Sequence, residues 1–165
     1  MPQDRPLTAA DMMERLPFSV RGTPGWMDRE TADGRTIAAG AISAVEWVPL
    51  LALYTRAREG GHAGQKMVGW VNVYRSGLDP LELLVSGSCD NIAPGRYPCG
   101  LDLAEVEGTL DGIDVAAWVR GEQTEEEVGP VRQRITSARV IGVTVYLPAS
   151  GMTGAFPDAY VEVLR

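Results

Sequence analysis

The sequence predicts a mainly β fold, a single-domain antiparallel β-sandwich or barrel with a short N-terminal helix. Three observations lead there. From Phe18 onward apolar residues recur at every second position, the period of a half-buried strand. Turn-forming Gly and Pro residues divide the apolar runs at intervals that leave room for about seven to nine strands. A chain of 165 residues with 45% hydrophobic content is enough for one domain with its own core, and no linker, repeat or low-complexity tract divides it. Residues 1–165 are therefore read as one β-rich domain, with the helix over 7–17 and the sandwich or barrel over 18–165.

The helix is predicted from its ends inward. Thr8 can cap the first free amides with Asp11 three residues on, Leu7 and Met12 stand at the positions of a hydrophobic staple, and Pro17 stops the segment. Ala9, Met12, Met13 and Leu16 form one apolar stripe. A helix this short is not stable alone, so the stripe has to dock on the sheet or on a neighbouring subunit. Met12, Met13 and Leu16 are accordingly candidate interface residues. Trp26 joins them, because it follows the Pro24-Gly25 turn in an irregular stretch, where a large aromatic side chain is suited to anchoring a protein contact or packing back on the sheet.

Val45 to Thr55 reads as a strand interrupted by Pro49, which calls for an edge position or a bulge. Met67 to Tyr74 is apolar on both faces, with Val68, Trp70 and Tyr74 on one and Met67, Val71 and Val73 on the other, so it is expected to be covered on both sides. Leu101 to Glu107 fits either a short helix or a strand. Ile113, Val115, Ala117 and Val119 define one face of a further strand. Ile141, Val143, Val145 and Leu147 define another, with Gly142, Thr144 and Tyr146 opposite. Tyr160 to Arg165 alternates as a final strand. The segments 18–42 and 148–160 look irregular yet contain apolar residues, and are expected to need something to order them.

Chemistry-bearing patterns are sparse. His62, the single imidazole, sits in the glycine-rich stretch Gly60-Gly61-His62-Ala63-Gly64 and reads as a solvated turn residue. That stretch ends in Gln65-Lys66 and lacks the Gly-Lys-Ser/Thr of a phosphate loop. Cys89 and Cys99 flank a Pro94-Gly95 turn and form a possible disulfide; in a reducing compartment they read as two buried thiols. Cys89 in Ser86-Gly87-Ser88-Cys89 lacks the sequence context of an activated nucleophile. Two Cys and one His do not make a closed zinc site, and the Glu125-Glu126-Glu127 run reads as a solvated loop. No catalytic, cofactor-binding or metal-binding residue is predicted, and no cofactor is expected.

A formal charge of −7 removes the electrostatic attraction that drives most nucleic-acid binding, so direct binding to DNA or RNA is not expected. The longest apolar run, Trp47 to Leu53, contains Pro49 and is far short of the roughly 18–20 residues of a spanning helix, so no membrane association is expected. Without a signal-like opening, the expected location is the cytoplasm or a virion. The function class that fits is a non-catalytic structural or interaction subunit of a larger protein assembly, such as a phage virion decoration, neck or tail component, with protein partners as a homo-oligomer or multi-subunit assembly. Two alternatives stand beside it: a small acidic inhibitor or immunity protein that binds a basic partner, and a small β-barrel enzyme or ligand carrier.

Overall fold

The alternating runs become eight strands in the computed structural model, which describes residues 8, 16–54, 65–111, 119–121 and 132–165. In chain order they are β1 (Phe18–Trp26), β2 (Arg35–Ile37), β3 (Val45–Leu53), β4 (Gln65–Arg75), β5 (Glu82–Cys89), β6 (Gly95–Asp111), β7 (Arg132–Tyr146) and β8 (Tyr160–Leu164). They form one sheet in the order β2-β7-β3-β4-β5-β1-β8-β6, and β6 returns to pair with β7. That last pairing closes a seven-stranded barrel, with β2 added to it through β7. The sheet is antiparallel except where β7 runs parallel to β2 and to β3.

Barrel closure depends on the length of β6 and β7. At about 3.3 Å per residue these strands are several times longer than the five-residue β8. The upper part of their ladder, Cys99 to Asp102 against Gly142 to Val145, belongs to the barrel wall, where β3 takes the other edge of β7. The lower part, Leu103 to Asp111 against Arg132 to Val140, continues past it, and there β2 takes that same edge. Three register shifts interrupt this ladder, and such bulges bend the strands that carry them.

The interior is filled by small and medium side chains. Val20, Leu50, Ala52, Val71, Val73, Leu83, Val85, Val143, Val145, Val161 and Val163 are all buried, as expected for a barrel of this size. Glycines let β4 and β5 approach closely: a Cβ at Gly87 would lie 2.0 Å from the Trp70 carbonyl oxygen, and one at Gly69 would lie 2.1 Å from that of Ser88.

Several expectations are corrected by this arrangement. Strand 67–74 is central, between β3 and β5, but it is not covered on both sides. The register shift between Leu50 and Leu51 leaves Val68 as the extra residue and turns Met67 away from the face of Val71 and Val73, so Met67 is 53% exposed. Tyr74 is exposed at the other end of the strand, next to the β4–β5 turn. Strand 141–147 is not half-buried: Gly142, Val143, Thr144 and Val145 are buried on both faces, while the bulge beside Gly142 puts Ile141 at the surface. Of the two placements expected for Pro49, the bulge is the one found: register shifts fall on either side of it in a strand that is not at an edge, and nearby Trp47 adopts a left-handed backbone with φ 59°. Residues 101–107 are strand.

The segments 18–42 and 148–160 need no partner to order them. Met27, Ile37, Ala41, Ile42, Phe156 and Ala159 are buried in the chain's own core. The amide of Ala32 donates to the Ala155 carbonyl, tying the two segments together. The predicted helix over 7–17, with Met12 and Met13, lies outside the described residues apart from Thr8, Leu16 and Pro17, and Leu16 is half-buried. The predicted strand 113–119 lies outside them apart from Val119, which is exposed at the start of a helical turn.

The close approach of β4 and β5 yields a test. Gly87→Ala is expected to lower stability by about 1–3 kcal/mol in denaturant unfolding, because the added methyl meets backbone and not a movable side chain.

Candidate functional site

Opposite residues of an antiparallel pair share a face, so the β6–β7 register sorts its side chains directly. Cys99 and Val145, then Leu101 and Val143, face one way; Gly100 and Thr144, then Asp102 and Gly142, face the other. The second face is the polar one. Thr144 donates from Oγ1 to Asp102 Oδ2 at 2.7 Å, and Gln65 Nε2, reaching from the start of β4, donates to Thr144 Oγ1. Gln65 and Tyr146 pair with Leu53 from either side, and Leu53 is buried between their strands.

Glycine makes the site possible at two places. A Cβ at Gly100 would stand 2.9 Å from the Tyr146 hydroxyl, and one at Gly142 would stand 3.2 Å from Asp102 Oδ2. Tyr146 is half-buried, and burial, reinforced by the Asp102 charge, raises its phenol above the ordinary value despite the opposing pull of Arg35. It is therefore a hydrogen-bond donor at neutral pH.

Arg35, on β2, completes the group. Its Nη2 lies 2.8 Å from Asp33 Oδ2, and its backbone amide donates to Thr31 Oγ1 at 2.9 Å. Thr31 also donates to Asp33. Burial by itself would raise the Asp33 carboxyl, but the hydrogen bonds from Thr31 and Arg35, with the Arg35 charge, outweigh it and hold the carboxyl below the usual range. Arg35 Nε is buried, and no acceptor reaches it among the described residues.

These side chains border two connected spaces. A cavity of about 110 Å³ lies between Arg35, Ile37 and Ile135 on one side and Gly100, Leu101, Tyr146 and Phe156 on the other. A more open groove of about 440 Å³ is bordered by Leu51, Gln65, Asp102 and Ile141. Arg35, Leu101, Leu103 and Tyr146 belong to both. The group can hold a polar ligand by hydrogen bonds. Among the described residues no cluster of His, Cys, Asp and Glu is arranged to hold a metal.

The residues singled out in the sequence are not brought together here. Cys89 and Cys99 are free, buried on β5 and β6, and no disulfide joins them. Burial, with Asp90 adding to it, pushes the Cys89 thiol up to about 11, and burial pushes Cys99 up to about 12, so neither carries thiolate near neutrality. Trp26 packs back on the domain: its ring meets Phe156 edge-on at 5.5 Å, and the Arg29 guanidinium stacks 4.2 Å from its centroid while pairing with Asp158 at 2.7 Å. His62 and the Glu125–Glu127 run lie outside the described residues. Arg35, Gln65, Asp102 and Tyr146 drew no functional reading from the sequence. The one local signal was the polar Thr144 in an apolar strand; its partners stand 42 and 79 positions away.

Two measurements check this description. Neither thiol is expected to react with a thiol-exchange reagent at about pH 8 in the folded protein, and both are expected to react once denatured. Because the Asp33 pKa is depressed on folding, its stabilising contribution is complete above the unfolded value and disappears as pH falls through the folded one. Asp33→Asn should therefore be less stable than the parent at neutral pH, with the gap closing well below about pH 4. No family model, curated protein or solved structure matches the chain.

Proposed function

We propose that this protein is a non-catalytic subunit of a larger protein assembly, of the kind that builds a virion decoration, neck or tail, and that it docks through one end of the barrel. The observation that carries the proposal is the concentration of uncovered features at that end. The β4–β5 hairpin turns there, with Leu78 wholly exposed at its tip and Tyr74 and Leu81 exposed beside it. From the strand directions, the β6–β7 extension starts from the same end. Within it Glu105, Val106, Glu107, Gly108 and Thr109 are consecutively exposed.

A partner that removed these apolar side chains from water would gain about 25 cal/mol per Å² of apolar surface buried. A strand with one edge paired also offers main-chain groups to a neighbour. The barrel interior is occupied by its own side chains, which weighs against a carrier that holds its cargo inside. The raised thiols weigh against a cysteine nucleophile. Described surface acids alternate with arginines, as in Arg21–Glu162, Arg132–Glu30, Arg134–Asp28 and Arg139–Glu105, and so do not build the single-sign face an inhibitor of a basic protein would use.

Size-exclusion chromatography with light scattering tests the proposal. A defined oligomer is expected, and Leu78→Asp combined with Val106→Asp should return it to monomer with an unchanged circular dichroism spectrum. A parent protein that stays monomeric at every concentration would refute it.

A further inference from the structure

A buried guanidinium N–H without an acceptor is uncommon in a folded protein and calls for one. Arg35 Nε is such a donor, and Arg35 lines the cavity of about 110 Å³. Its Nη2 already pairs with Asp33, which orients the guanidinium before anything binds. Tyr146 supplies a second donor to the same cavity, with the bare Gly100 leaving space for its hydroxyl. Thr31 also lines the cavity, its hydroxyl engaged with Asp33, and the larger side chains of the remaining wall are apolar, among them Ile37, Leu103, Ile135 and Phe156.

We propose that this cavity binds a small neutral carbonyl compound with a branched apolar body, its oxygen accepting hydrogen bonds from Arg35 Nε and the Tyr146 hydroxyl. The size follows from the volume, since a cavity of about 150 Å³ accommodates benzene and this one is somewhat smaller. Charge decides between a carbonyl and a carboxylate. Asp33 already balances Arg35, the one cationic side chain among the described residues lining the cavity, so an entering anion would meet no unbalanced positive charge there while a neutral carbonyl still gains both hydrogen bonds. The cavity shares the β6–β7 extension with the docking end, through Leu103 and Ile135, but the donors that define it are Arg35 and Tyr146 and none of the exposed residues of that end lines it, so the proposal stands whether or not the protein oligomerises.

Isobutyramide and isobutyrate have the same shape and differ in charge, and saturation-transfer NMR on the full chain compares them. Isobutyramide is expected to bind and isobutyrate to bind more weakly. Tyr146→Phe should weaken isobutyramide about five- to tenfold by removing one donor, and Leu103→Trp should abolish binding by filling the space. Thermal melts establish that each variant folds; if Leu103→Trp does not, Gly100→Ala, whose methyl crowds the hydroxyl, replaces it and should also weaken binding. Absence of saturation transfer from isobutyramide, tighter binding of isobutyrate, or a folded Tyr146→Phe with parental affinity would each overturn the proposal.

Discussion

β7 is fifteen residues long and is paired on both edges at each of its ends, and that arrangement governs what surrounds it. β6 takes one edge from Arg132 to Val145, interrupted by three register shifts. On the other edge β2 takes 133–135 and β3 takes 143–146, both parallel to β7. The β3 pairing closes the barrel, and the β2 pairing recruits residues 35–37 to the extension and holds Arg35 opposite the wall that carries Tyr146. Core and candidate site are therefore products of the same ladder. Its inward face supplies Val143 and Val145 to the barrel centre, and its outward face supplies Thr144 and Tyr146 to the polar group.

The two faces follow different economies. Inside, burial of aliphatic side chains dominates, and even the two sulfurs are held as neutral thiols. Outside, Thr144 is as deeply buried as the core valines yet polar, and it is tolerated because it donates to Asp102 and accepts from Gln65. Glycines at 100 and 142 supply room that no other residue would leave.

Much of the architecture was legible because alternation is a local property. The final strand, the Pro49 bulge, the hairpin between β4 and β5 and the strand count all follow from short windows of sequence. What escaped was the effect of single-residue insertions. A bulge inverts the facing of each residue beyond it, so Met67 and Ile141, apolar residues placed by period on the inner face, come out at the surface. Thr144 and Gly142 were assigned to an exposed face because nothing in a single strand reveals that residues from β2 and β4 lie over it. The polar group was invisible for the same reason: Arg35, Gln65, Asp102 and Tyr146 are ordinary residues until the closed ladder brings them to the same pair of spaces.

β8 is the last in chain order of the eight strands among the described residues, yet it is an interior member of the wall, inserted between β1 and β6. During synthesis the first seven strands emerge while that slot is vacant, and a growing chain presents two unsatisfied rows of amides and carbonyls flanking an apolar trough. The barrel is sealed from its carboxyl-terminal side, so a product shortened by this one segment resembles an opened staircase of sticky edges instead of a slightly smaller version of the native protein.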